Sequence, residues 1–178
     1  MEILADGKRL YLRKAETFDL DYIMKLETDA ENLKFIVPFS YENHKAVIEN
    51  PKEAMDIMIV EKEGDVPAGY FWIQGLTLDS KEIEWTHILI EKKNRGFGHE
   101  AMKLMKRYTF ETLKAHRGWM DSKDYNARAL HLYESEGLTR EGLIRETLYL
   151  NNKWENLVIL GILDREYQER KNKGLEEI

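Results

Sequence analysis

Lys93-Asn94-Arg95-Gly96-Phe97-Gly98-His99-Glu100-Ala101 is the stretch that decides the fold. An apolar run, Ile88-Leu89-Ile90, precedes it. An amphipathic run from 101 to 113 follows, with Ala101, Leu104, Met105 and Tyr108 at helical spacing. The order predicts a strand, a glycine-rich turn and a helix. Such a turn presents free backbone N–H groups, and the helix dipole adds partial positive charge at the same place. That combination suits a phosphate or pyrophosphate. A plain tight turn capping a helix carries the same signature.

Outward from this point the chain predicts one strand at 10–12, a helix from Thr17, and a helix, loop, helix region over 28–54. Strands follow at 57–60, 68–73 and 82–90, the last leading into the glycine turn. A short strand at 119–120 and a helix from Asn126 come next, the helix ended by Gly137. A hairpin turns at Asn151-Asn152, and a charged, solvated helix is expected over 164–173. The result is a single mixed α/β domain (α+β) over 1–178, with its core at 9–167 and helices covering a central sheet.

Bulk properties narrow the function. The 178 residues allow a sizeable core, and 43% hydrophobic with 34% charged residues is ordinary for a globular protein. No apolar run nears the roughly 20 residues that span a bilayer, and no signal-peptide pattern opens the chain, so no membrane partner is expected. There is no cysteine, which is compatible with a cytoplasmic location and excludes thiolate metal sites. A net charge of −6 argues against a nucleic-acid partner. The histidines His44, His99, His116 and His131 form no ligand pattern with His87, and no metal is assigned. A third glycine at dinucleotide-fold spacing is missing, as is a G-x-x-x-x-G-K-[ST] motif.

Two segments together resemble the GNAT superfamily of acetyl-CoA-dependent N-acetyltransferases. Residues 93–98 resemble its pyrophosphate loop, Q/R-x-x-G-x-G/A, with Lys93 keeping a cation but losing the planar fork. Residues 126–138 resemble N-x-x-A-x-x-x-Y-x-x-x-G-F, with Leu138 replacing the phenylalanine. The aromatic hairpin ending in Trp154 is similar to the branch with ribosomal-protein and spermidine acetyltransferases.

The resemblance implies a sheet splayed at the cofactor site and acetyl transfer from acetyl-CoA to a primary amine by direct attack. It places the pyrophosphate on the turn around Lys93, Arg95, Gly96, Phe97, Gly98, His99 and Glu100. The pantetheine arm would pair with the backbone of Ile88, Leu89 and Ile90 as an added strand does. Tyr133 would protonate the departing thiolate; taken alone it reads first as a core tyrosine beside Leu130, and the glycine loop reverses that preference. Asn126 would bond the pantetheine or cap its helix.

For the proton on the incoming amine, Glu82 and Glu84 share a strand face just before the loop, and His87 is a second candidate. A bulge in that strand would change which of them faces the site. In the family the acceptor pocket draws on the first two helices, their loop and the later hairpin. Here that region offers Glu27, Asp29, Glu31, Phe35, Phe39, Tyr41, Trp72 and Trp85, a carboxylate and aromatic set suited to a cationic amine, with Glu27, Glu31, Trp72 and Trp85 taken as its contacts. A polyamine-like amine is favoured, while an aminoglycoside or a protein N-terminus also fits. The same residues equally describe a solvated acidic helix and core aromatics. A catalytically silent CoA-binding module is the alternative function, and a homodimer through the hairpin or an edge strand is a possible assembly.

Overall fold

The computed structural model describes residues 2–93 and 95–178; Asn94 of the glycine-rich motif lies outside the described residues. Strand β1 spans Ile3–Asp6 and β2 Leu10–Lys14, followed by helices α1 (Leu20–Glu27) and α2 (Tyr41–Glu49). Strands β3 (Ala54–Glu61), β4 (Val66–Gln74) and β5 (Glu82–Ile90) form a meander. Helix α3 (Phe97–Arg107) continues into a wider π turn at Tyr108–Thr112, and β6 (Arg117–Lys123) and α4 (Ala127–Ser135) follow. Strands β7 (Thr139–Leu150) and β8 (Lys153–Leu163) and helix α5 (Asp164–Asn172) complete the chain. The strands make one sheet in the order β1-β2-β3-β4-β5-β6-β8-β7, antiparallel except for β5 beside β6.

Strand alternation divides the core between two faces. Leu10, Leu12, Ile57, Ile59, Phe71 and Ile73 point to the side covered by α3, α4 and α5, where Met102, Leu104, Leu130 and Tyr167 meet them. Tyr11, Met58, Val60, Tyr70 and Trp72 point to the side covered by α1 and α2, against Ile23 and Leu26.

One bulge breaks that rule. The β4–β5 register runs from Trp72↔His87 to Ile73↔Trp85, which leaves Thr86 as an extra residue. Trp85 therefore joins the α3 side, whereas Leu89, four residues later, joins the α1 side. A strand without the bulge would hold both on one face.

Two differences from the sequence reading concern the strands. Strand β1 was not expected; it has four residues, too few for a pattern, and exists through its pairing with β2. Strand β7 is longer than its apolar end, because its polar first part is carried by the ladder to β8. The Asn151-Asn152 turn is as expected, both residues having positive φ (52° and 60°), which right-handed strand twist favours in two-residue hairpins.

The C-terminal helix is a correction. It was expected to be solvated, but Tyr167 is buried and stacks on Phe110 with ring centroids 5.0 Å apart. Beyond it, the buried Glu176 carboxylate lies 2.6 Å from Lys106 Nζ, and the fully buried Lys106 also reaches Glu136 Oε2 at 3.0 Å. Burial pulls the Lys106 ammonium below its ordinary pKa against the opposing pull of these two carboxylates. His99 Nδ1 sits on the other oxygen of Glu136 at 2.8 Å.

Where β5 and β6 are still paired, Gly118 lies under the fully buried Trp85, and a Cβ there would come within 2.5 Å of the indole. Gly118→Ala should lower unfolding stability by about 1–3 kcal/mol, the usual range for overpacking a filled core. The check is the urea midpoint; an unchanged midpoint would mean that the ring has room to move.

Candidate active site

Strands β5 and β6 pair only through Glu82↔Arg117, Ile83↔Gly118 and Glu84↔Trp119. Beyond that they part, and a cleft of about 1050 Å³ opens between them. Thr86 to Ile90 line one wall and Met120 to Lys123 the other. The edge of β5 facing the gap has no strand partner there, so its backbone groups are left to bind something extended.

The cleft has two mouths. On the α3–α4 side it is lined by Lys92, Lys93, Gly96, Phe97, Gly98 and His99, with Asn126, Arg128, His131 and Tyr133 opposite. Gly96 takes the left-handed conformation (φ 75°), which turns the chain into the first turn of α3, where amides have no intrahelical acceptor. A Cβ on Gly98 would lie 3.0 Å from Leu132, so this glycine lets α4 come close to α3. Free amides, a helix N-terminus, lining cations and an unpaired strand edge together fit the pyrophosphate and pantetheine of acetyl-CoA.

Two members of the expected cofactor set are used otherwise. The Arg95 guanidinium does not line the cleft; it pairs with Glu61 at 2.9 Å and lies over the Phe97 ring. The Glu100 carboxylate accepts from the backbone N–H of Arg9 and of Leu10, at 2.6 and 2.9 Å, and pairs with the Arg9 guanidinium. Its own N–H closes on Gly96 O at 3.4 Å. Glu100 thus fixes the turn to the β1–β2 corner and the Arg95 side chain fixes it to the end of β3, neither facing the cleft.

Asn126 lines the cleft and also caps α4, its Oδ1 accepting from Ala129 N at 3.4 Å. Seven residues on, Tyr133 lines the same cleft while almost wholly buried. Burial first, and the charge of Asp121 second, push its phenol well above the ordinary pKa, so it keeps its proton at neutral pH.

The second mouth opens toward α1 and α2. A strap from Glu31 to Phe39 crosses it, and Lys123 Nζ and Tyr125 OH hold the strap by donating to Lys34 O at 2.9 and 3.1 Å. Asp121 faces this mouth; burial and then Glu84 raise its carboxyl above the usual range. Glu31 lies at the rim, paired with Lys34 at 2.6 Å. The strap aromatics Phe35 and Phe39 were among the aromatics expected at the acceptor pocket, whereas Asp121 belongs to no motif, and a charge one residue past a short strand gave no signal in the sequence.

The other sequence candidates fall behind or below the cleft. Trp85 is a correction: the Thr86 bulge turns it to the opposite face, where its indole N–H donates to Thr109 Oγ1 at 3.1 Å. Trp72 stands behind the wall, stacked on Phe39 at 4.3 Å. Glu82 and Glu84 lie on the paired part of β5 and do not line the cleft. Glu84 accepts from Gln74 Nε2 at 2.7 Å, and Glu82 lies 3.9 Å from Arg117.

Glu27 is fully buried and engaged on all sides, so it is not an open substrate contact. Its Oε2 accepts from Phe39 N at 3.0 Å; its Oε1 meets the Tyr70 hydroxyl and lies 2.7 Å from His87 Nδ1. His44 Nε2 lies 3.6 Å from the same oxygen, an ion-pair distance too long for a hydrogen bond, and its Nδ1 is 2.9 Å from Asp56 Oδ2. Burial alone would raise the Glu27 carboxyl, but His44, His87 and Tyr70 outweigh it and bring it down to about 2. Burial lowers the His44 imidazolium, yet Asp56 and Glu27 lift it to about 9. His87 belongs to this knot and to the cleft wall alike.

Comparison with known proteins agrees with this architecture. Residues 9–139 match the family model described as an acetyltransferase (GNAT) domain. The chain is 24% identical over 172 residues to a spermidine N(1)-acetyltransferase of Escherichia coli, covering 92% of this chain and 91% of that protein. A probable N-acetyltransferase of Bacillus subtilis is 25% identical, with 89% of this chain and 96% of that protein covered. Among solved structures, the spermidine N-acetyltransferase of Vibrio cholerae in complex with CoA and spermine superposes with a TM-score of 0.81 at 21% identity, covering 90% and 98% of the two chains. The parted strands, the glycine turn and the family match lead to one conclusion: this chain belongs to the GNAT acetyltransferase family and is an N-acetyltransferase that draws its acetyl group from acetyl-CoA.

Proposed function

We propose that the protein acetylates a small, multiply charged primary amine of the polyamine kind, with Tyr133 as proton donor to the leaving thiolate. The observation that carries this is the division of charge along one cleft. Cations and free amides line the α3–α4 mouth, whereas Asp121, Glu31 and the strap aromatics Phe35 and Phe39 line the other, where the cation Lys123 is tied to Lys34 O. An extended polycation gains charge contacts and cation–π contacts at that second mouth. The relatives named as spermidine acetyltransferases support the same substrate class.

Acetyl-CoA supplies the acetyl group as a thioester. The chain contributes positioning and proton handling. Lys93, His99, Arg128 and the amides of Gly96 to His99 hold the phosphate end. The unpaired edge of Ile88 to Ile90 aligns the arm, and Asn126 contributes its free amide group. Tyr133 holds a proton at the buried end of the cleft. Asp121 neutralises a cationic acceptor as it enters from the other mouth.

Tyr133→Phe should lower kcat by about 10²–10⁴-fold, the usual range for a lost proton donor, with KM for acetyl-CoA nearly unchanged. Asp121→Asn should raise KM for a polyamine by roughly tenfold while altering KM for a monoamine little. A panel of polyamines, aminoglycosides and peptide N-termini, read by release of free CoA, decides the class. Preference for peptides would overturn the polyamine assignment. Acetyl-CoA binding without turnover on any amine would identify a silent binding module instead.

A further inference from the structure

Beside the acceptor mouth the fold buries four titratable groups in one chain of contacts: Asp56, His44, Glu27 and His87. They come from β3, α2, α1 and β5, and Tyr70 of β4 closes the group, its hydroxyl 3.3 Å from His87 Nδ1. Such an arrangement is costly in a core unless it serves a purpose, because buried charge must be paired and bonded throughout. Here the pairing is incomplete. His44 Nε2, Asp56 Oδ1 and the nearby Trp72 Nε1 are buried without a hydrogen-bond partner.

We propose that His87 is the base that takes the proton from the incoming amine, and that Glu27, His44 and Asp56 form a buried charge chain that orients it. The proposal deepens the acetyl-transfer reading and rests on it. A carboxylate only accepts hydrogen bonds, so the nitrogen 2.7 Å from Glu27 carries the hydrogen. That places a hydrogen on His87 Nδ1 and makes Nε2, on the opposite edge of the ring, the nitrogen that would take up the proton. His87 lies past the point where the central strands part, across from Asp121, and lines the cleft. The carboxylates Glu82 and Glu84 lie before that point.

The step balances simply. One N–H bond of the ammonium breaks, an N–H bond forms at His87 Nε2, and the amine recovers the electron pair with which it attacks the acetyl carbon. The positive charge moves onto the imidazole, where Glu27 faces it. His44 is a positioning residue one step further in. As an imidazolium between Glu27 and Asp56 it keeps Glu27 ionised and fixed, helped by the Tyr70 hydroxyl and Phe39 N–H. The charged and titratable groups facing His87 are therefore Glu27 of α1, His44 of α2, Asp56 of β3, Tyr70 of β4 and Asp121 of β6.

Two variants of the chain should shift the pH profile of kcat/KM in opposite directions. Glu27→Gln removes the counter-charge, so the acid limb should move down by about one pH unit as kcat falls. His44→Gln removes a competing positive charge, so the acid limb should move up by a similar amount. His87→Gln should cost about 10²-fold or more at neutral pH, with the loss shrinking as the amine deprotonates at higher pH. Nitrogen-15 histidine spectra of the intact wild-type protein near pH 7.5 give a readout without turnover. His87 should appear as the neutral Nδ1–H tautomer and His44 as a doubly protonated ring. An Nε2–H tautomer at His87, a neutral His44, or unshifted profiles in both variants would overturn the proposal. A wild type silent toward every amine would overturn the acetyl-transfer reading, while the tautomer would still decide the placement of the base.

Discussion

Three residue pairs hold β5 to β6, and after Glu84↔Trp119 the strands have no further pairing. Everything functional in this molecule follows from that separation. A strand in the middle of a sheet normally satisfies both of its edges. Here β5 keeps β4 on one side and offers the other to the cleft. The protein thus carries an open edge in its interior, protected from aggregation by the walls of the pocket and reserved for an extended ligand.

The same separation joins the two faces of the sheet, which are otherwise isolated from each other. Helices α3 and α4 bring the glycine turn, Asn126 and Tyr133 to one face; on the other, α1, α2 and the strap meet His87 of β5 and Asp121 of β6. The Thr86 bulge sets which side chains go where. It sends Trp85 to the first core and His87 and Leu89 to the second. In the proposed reaction, proton donor and proton acceptor thus sit on opposite sides of the plane through which the acetyl group passes.

Much of this was legible in the sequence because it rests on local rules. Gly96 must adopt a positive φ, Asn126 must cap a helix, and Tyr133 must follow two turns later; each leaves a fixed spacing. The Asn151-Asn152 turn is read the same way. What depends on register or on distant partners was not legible. Nothing in Trp85-Thr86-His87 fixes where a bulge falls, so Trp85 looked like an acceptor-pocket residue and the base stayed open among Glu82, Glu84 and His87. Glu27 and Glu31 look alike in sequence, yet one is the centre of a buried knot and the other a rim residue. Asp121 gained its place from the strand facing it, not from its neighbours in the chain. The charged tail suggested a solvated helix because the partner that buries Glu176, Lys106, lies seventy residues earlier.

That last ion pair has a consequence for handling the protein. Lys106 has no route to water, and its three donors reach Glu136 O, Glu136 Oε2 and Glu176 Oε1. Glu136 in turn steadies His99 at the glycine turn. Removing residues 174–178, or fusing a bulky reporter after them, would take one of two carboxylates from this buried ammonium, two contacts away from the proposed diphosphate cradle. The segment around Glu176 is thereby mortared into the floor of the proposed cofactor cradle.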